Sequence, residues 1–263
     1  MFSKTKYSIG GLTETEINSE FERLASIKMK AMTYIRTPVF ITLDLSGSMK
    51  RHYAILKDIV KIMNNELRVV PKRDFTLFIQ GIYNSKPLLL YFGDLHAFDF
   101  DSFMASLPDE CNGGTPLAKS FIKADTLLSR FNKTCEDNNH WYTIPVFFSV
   151  TDCAATDSAD DCNSVAEKFK KDVADNNKLV VEFVTCANPD GLSLGGYKIQ
   201  IDGNPEKIAT FMQGLRLATS TEADLENASI SRIPSKQRDR VAYNRYMSDI
   251  MLFNIKFCYD RVH

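Results

Sequence analysis

The sequence predicts an α/β domain with a doubly wound, mostly parallel sheet, one antiparallel edge strand and helical extensions at both ends. Three observations carry this expectation. Short, almost wholly apolar runs such as Val39-Phe40-Ile41-Thr42-Leu43 and Pro145-Val146-Phe147-Phe148-Ser149-Val150 read as strands buried on both faces. Segments of helical periodicity alternate with them, which calls for right-handed crossovers and parallel strands. One pair of runs, 75–79 and 88–92, is joined instead by turn chemistry at Asn84-Ser85-Lys86-Pro87 and reads as a hairpin.

Taken in order, Thr13-Glu14-Thr15-Glu16 has the form of a capping box, and Ile17, Phe21, Leu24, Lys28, Ala31 and Ile35 behind it keep helical spacing. Pro38 stops that helix, and the first strand follows at 39–43. Ile55, Ile59, Ile62 and Met63 mark a helix running toward Pro71. After the hairpin, Gly113-Gly114 precede a helix over 116–130, and the apolar strand at 145–150 is entered past Trp141. A helix over 164–173, a strand over 179–184, a short strand over 197–201 and a helix over 205–217 complete the alternation. From Thr219 the chain is polar through Ser235, and Tyr243, Tyr246, Met247, Ile250 and Phe253 then line one face of a last helix. The sequence divides as an N-terminal extension over 1–37, the α/β domain over 38–218 and a C-terminal extension over 219–263.

Composition excludes several classes of function. A length of 263 residues, 44% hydrophobic and 25% charged, suits a soluble globular protein. The formal charge of −1 and the lack of a basic block argue against nucleic acid and anionic membranes as partners. No apolar stretch has signal-peptide or membrane-spanning length, so the expected compartment is the cytoplasm. The six cysteines are scattered without a C-x-x-C pair and read as free thiols, and the four histidines lack zinc spacing.

Oxygen-bearing side chains gather at three strand or loop ends. The first strand ends in Asp44-Leu45-Ser46-Gly47-Ser48, the loop Gly113-Gly114-Thr115-Pro116 opens a helix, and the apolar strand ending at Val150 delivers Thr151-Asp152. Alternation sends Asp44, Ser46 and Ser48 the same way, and Gly47 permits a tight bend. Such a set, of two carboxylates and three hydroxyls, suits a small hard dication, Mg²⁺ or Mn²⁺.

D-x-S-x-S, then a threonine in G-G-T-P-L, then an aspartate after a later strand resemble the metal-ion-dependent adhesion site (MIDAS) of von Willebrand factor type A (vWA) domains. The resemblance spans about 38–217. Gly113-Gly114-Thr115-Pro116-Leu117 and the run from Thr151-Asp152 to Thr156-Asp157 look most like small cytosolic bacterial vWA proteins linked to tellurium resistance. It implies a Rossmann-like vWA fold and a metal set of Asp44, Ser46, Ser48, Thr115 and Asp152. The two serines would touch the cation directly, Thr115 in some states, and the aspartates through water. The cation would then take a Glu or Asp carboxylate from a partner protein. The family usually has glycine after the last aspartate, where this chain has Cys153, which leaves the loop geometry there open.

Plainer roles stand beside these. Ser48 and Thr115 each suit the N-cap of the helix that follows, with Pro116 at the first helical position. Asp157, Asp160 and Asp161 suit a solvated loop and helix start better than a second cation site. No enzyme emerges: Ser46 replaces the second aspartate of a D-x-D phosphatase, Gly47-Ser48-Met49 is not a nucleophile elbow, and no nucleophile–base pair assembles. The expected function is a metal-dependent protein-interaction module. The alternatives are a metal-free scaffold acting through its terminal helices, or an accessory subunit of an enzyme or stress-response complex.

Overall fold

The first helix starts where its side chains close the backbone. Thr13 takes the Glu16 N–H at 3.3 Å and the Glu16 carboxylate takes the Thr13 N–H at 2.8 Å, completing the capping box of α1 (Glu14–Ser26). The computed structural model describes residues 7, 9–27, 35–68, 74–185, 191–201, 206–211, 256 and 259. The extension of α1 toward Ile35, most of the helix expected over 205–217 and the C-terminal helix lie outside them.

Seven strands follow: β1 (Ile35–Asp44), β2 (Asp74–Tyr83), β3 (Lys86–Asp94), β4 (Trp141–Tyr142), β5 (Val146–Thr151), β6 (Leu179–Val184) and β7 (Tyr197–Gln200). The sheet order is β3-β2-β1-β5-β6-β7, with β4 beside the start of β1. Every pairing is parallel except β2 with β3, which meet through left-handed Asn84 and Ser85. The main helices are α1, α2 (Tyr53–Arg68), α3 (Phe100–Ser106), α4 (Leu117–Asp137) and α5 (Ala159–Ala174), and residues 206–211 are also helical. The doubly wound α/β sheet with its antiparallel edge strand is thus as expected.

Besides the short strand β4 and the longer run of α4, Pro38 and α3 differ from the sequence expectation. β1 begins before Pro38 and contains it. Pro38 falls between the pairing of Ile35–Arg36 with β4 and that of Val39 onward with β5, so its missing N–H breaks neither ladder. The short helix α3 was not foreseen; Asp99 caps it by accepting from Ser102 N at 3.1 Å.

Both faces of the sheet are covered, as near-continuous apolar strands require. Val39, Ile41 and Leu43 of β1 pack with Leu56, Ile59 and Met63 of α2 and with Phe103 of α3. Phe40, Phe78 and Phe147 face the other way, toward α1, α4 and α5. Their rings form a stack with Phe40 in the middle, 4.4 Å from Phe78 and 4.7 Å from Phe147. Ile17, Phe21 and Leu24 of α1 are buried against this face, and Phe21 lies 4.6 Å from Phe92 on β3. Just before α1, Leu12 N donates to Leu89 O of β3 at 2.6 Å, pairing the outer side of the edge strand. At the opposite edge Tyr259 donates to Lys198 O of β7 at 3.3 Å.

A charged knot fixes α4 to its neighbours. Asp125 accepts from Lys168 of α5 and from Lys178, whose side chain is buried and also meets Asp172 at 2.9 Å. Burial alone would raise the Asp125 carboxyl, but the two lysines overcome it and hold it below its usual value. The described cysteines, Cys111, Cys135, Cys153 and Cys162, are free thiols. Among the described residues no helix is long and apolar enough to cross a membrane.

Two outcomes are expected. Phe40→Ala lowers the unfolding free energy by about 3–5 kcal/mol in urea denaturation, because it empties the middle of the stack. Asp125 is depressed in the folded state, so its contribution is complete above the unfolded pKa of about 4 and is lost as pH falls through the folded value. Melting temperatures measured across that acidic range should therefore fall less steeply for Asp125→Asn than for the parent.

Candidate functional site

β1 and β5 are neighbours at the point where the winding reverses: β2 and β3 lie to one side, β6 and β7 to the other. In doubly wound sheets, ligands bind outside the carboxyl ends of the strands at such a point. Asp44 ends β1 there and Asp152 follows β5. Asp44 is fully buried, with Oδ1 accepting from Ser46 N at 3.0 Å and Oδ2 from Thr151 Oγ1 at 2.8 Å. Thr151 is itself held by Cys153 N at 3.0 Å, and Asp152 Oδ1 takes Ala154 N at 3.0 Å.

The hydroxyls come next. A 3₁₀ helix over Gly47–His52 leads into α2, and Ser46 occupies its N-cap position. Its hydroxyl makes no capping bond; it lies 3.2 Å from the hydroxyl of the exposed Ser48. Thr115 is buried and is not a cap either, because Pro116 takes that position on α4. Among the described residues the Thr115 hydroxyl makes no hydrogen bond. The capping role expected as the plain alternative for Ser48 and Thr115 is therefore filled by neither.

Asp157 fills it for α4. Its two oxygens accept from Ala118 N at 2.8 Å and Lys119 N at 3.3 Å, although it belongs to the loop after Asp152. Ser158 caps α5 through Asp161 N at 3.1 Å, and Asp160 and Asp161 fall in that first turn, as expected of a helix start.

Backbone bonds staple the loops to one another. Gly47 N donates to Gly113 O at 2.8 Å, Asn112 N to Leu45 O at 2.8 Å, Asn84 N to Asn112 O at 3.1 Å and Thr156 N to Thr115 O at 2.8 Å. Gly113 has φ +86°, and a Cβ there would stand 2.5 Å from Ser85 N. Gly47, directly after the bend at Ser46, needs no left-handed backbone. The position that does is Cys153, at φ +62° and completely buried.

Charge at the site is unbalanced. Burial pushes the Asp44 carboxyl above its usual range; hydrogen bonds from Ser46 and Thr151 pull it back, and the charge of Asp152 pushes it up again. No cationic side chain contributes among the described residues. His52, close enough to feel Asp152, is held low by burial and by Arg51. Among the described residues no group of three or more His, Cys, Asp or Glu side chains is placed to hold a metal. The donors here are two carboxylates with hydroxyls. That set, with a buried uncompensated anion and an unengaged Thr115 hydroxyl, fits a hard dication.

Sequence reasoning missed Thr151 as the residue that orients Asp44, and Asp157 as the clamp on α4. The Thr-Asp pair at the end of a strand was the available signal for the first. For Asp157 there was none, since it acts on a helix some forty residues earlier in the chain.

No family model matches the sequence, and no curated protein matches it. Solved structures do. The N-terminal domain of TFIIH p34 superposes with a TM-score of 0.50 at 10% identity, covering 68% of this chain and 96% of that one. The pilus adhesin SpaC from Lactobacillus rhamnosus GG, in its open conformation, gives 0.50 at 12% identity over 73% of this chain and 30% of that one. Manganese-loaded TRAP of Plasmodium vivax gives 0.40 at 14% identity over 56% of this chain and 57% of that one. The chain thus spans less than two thirds of the last two structures. At these identities the likeness is one of fold, and the fold is of the vWA type.

Cys153 provides the local test. A non-glycine residue in the left-handed region costs on the order of 1 kcal/mol, and loss of a buried thiol costs a similar amount. Cys153→Gly should therefore change stability by less than about 1 kcal/mol, whereas Cys153→Val, β-branched in that region, should lose at least about 2 kcal/mol. Denaturant midpoints of both variants check this.

Proposed function

We propose that the chain is a protein-interaction module, and that Asp44, Ser46, Ser48, Thr115 and Asp152 hold Mg²⁺ or Mn²⁺ where a partner protein presents a Glu or Asp carboxylate. One observation carries the reading: Asp44 is buried without a cationic partner among the described residues. An isolated buried carboxylate is strongly unfavourable, and a bound dication removes that penalty. Bound there, the ion would supply positive charge and an exchangeable coordination position.

Each residue has a task in this reading. Asp44 is oriented by Thr151 and Ser46 N, so its anionic oxygens are fixed before any ion arrives. Ser46 and Ser48 offer adjacent neutral oxygens, and Thr115 offers a hydroxyl that makes no hydrogen bond among the described residues. Asp152 adds long-range negative charge. The low count of anionic donors leaves the ion's charge incompletely cancelled, which is what would draw an acidic side chain. On its motifs alone, the chain reads as the type of vWA protein linked to tellurium resistance in bacteria. The rival scaffold reading is weakened for the N-terminal helix, whose apolar face is already buried against the sheet.

Titration calorimetry should find one Mg²⁺ or Mn²⁺ per chain, with binding lost in Ser46→Ala/Ser48→Ala; undiminished heat in that variant would overturn the site. In EDTA, Asp44→Asn should be more stable than the parent by on the order of 1 kcal/mol, because it removes a buried charge. With saturating Mg²⁺ the order should reverse. Partner capture should fail with Asp44→Ala or EDTA and weaken with Asp152→Ala. Capture at full strength in EDTA would refute docking through the ion.

A further inference from the structure

The face of the sheet under α4 is built in three tiers. The lowest is the stack of Phe78, Phe40 and Phe147. The highest holds Asp44 with Thr151. Between them Gln80, Thr42, Ser149 and Glu182 stand side by side on β2, β1, β5 and β6, each the register partner of the next. All four are buried, at 0–2% exposure.

This middle row is not satisfied by protein. Thr42 Oγ1, Gln80 Oε1 and Ser149 Oγ have no hydrogen-bond partner among the described residues. Gln80 spends its amide N–H on Ser120 O of α4, at 3.4 Å. Glu182, at the end of the row, takes a long contact of 3.4 Å from Leu194 N to each of its oxygens and a hydrogen bond from the Ser193 side chain. Scattered orphans have scattered explanations; three at consecutive register positions share one.

We propose that this row binds ordered water, which bridges Thr42, Gln80 and Ser149 beneath α4 and lies between Glu182 and the Asp44–Thr151 pair. Neighbouring strands stand about 4.8 Å apart. A water donating or accepting two bonds of about 2.8 Å spans that gap between adjacent side chains. Water suits the chemistry as well as the distance. The hydroxyls can donate or accept, Gln80 Oε1 can only accept, and the three groups are neutral, so a ligand that both donates and accepts meets all of them. The site lies below the cation set and does not depend on it.

The test uses Thr42→Val and Ser149→Ala, which delete the hydroxyls at nearly constant shape and touch none of the residues assigned to the ion. Oxygen-17 relaxation dispersion on the parent should detect long-lived internal water that the double variant loses. Each single variant should lower the melting temperature by about 2–4 °C, and the double should lose less than the sum, because both hydroxyls hold the same water. If the double variant keeps the parent's signal, or either single variant melts higher, the row is dry and the proposal falls. A dry orphan hydroxyl is relieved by its removal, which fixes the sign of that second outcome.

Discussion

A carboxylate sealed from water at the junction of two parallel strands constrains everything built above it. Asp44 lies where β1 and β5 part to opposite directions of winding, and the surrounding chain supplies it with dipoles and no positive charge. Hydrogen bonds from one backbone N–H and one threonine hydroxyl fix its orientation without neutralising it. Asparagine could accept only one of these two bonds and would have to turn its amide toward the other partner, so the carboxylate is matched to its two donors. Its presence, beside three hydroxyls that no helix end consumes, is what the proposed cation site rests on.

The loops around that carboxylate are held by their backbones. The segment after β1 is joined to the loop before α4, that loop to the β2–β3 turn, and the entry of α4 to the chain after β5. The loops are therefore held together without relying on the candidate ligand side chains alone. Asp157 takes over the capping of α4 that Thr115 could have done, and Gly113 lets two backbones approach more closely than any Cβ permits. Much of the positioning is thus done by backbone bonds and by residues other than the candidate ligands.

Much of this was legible in the sequence because it is local. Apolar runs placed β1, β2, β3, β5 and β6, the capping box placed α1, and the spacing of Asp44, Ser46 and Ser48 put three oxygens at one strand end. What escaped was set at a distance. Pro38 reads as a stop, and only the break between β4 and β5 makes it acceptable inside a strand. Asp157 reads as one acid among three, and only the fold brings it to the first turn of α4. The left-handed backbone at Cys153 was signalled only by the glycine that the resemblance leads one to expect there, not by the cysteine itself. The buried row of Gln80, Thr42, Ser149 and Glu182 comes from four strands distant in sequence, so no window along the chain contains it.

The bond from Leu12 to Leu89 has a consequence for how the molecule meets others of its kind. An open sheet invites a foreign strand at either margin, because unpaired carbonyls and amides are a template for more of the same. Here one margin is engaged by the segment leading into α1 and the other is touched by Tyr259. The two ends of the chain thus act as selvedges to the fabric. A foreign strand then meets fewer open amides and carbonyls at either margin, and neither contact involves the carboxyl ends of β1 and β5.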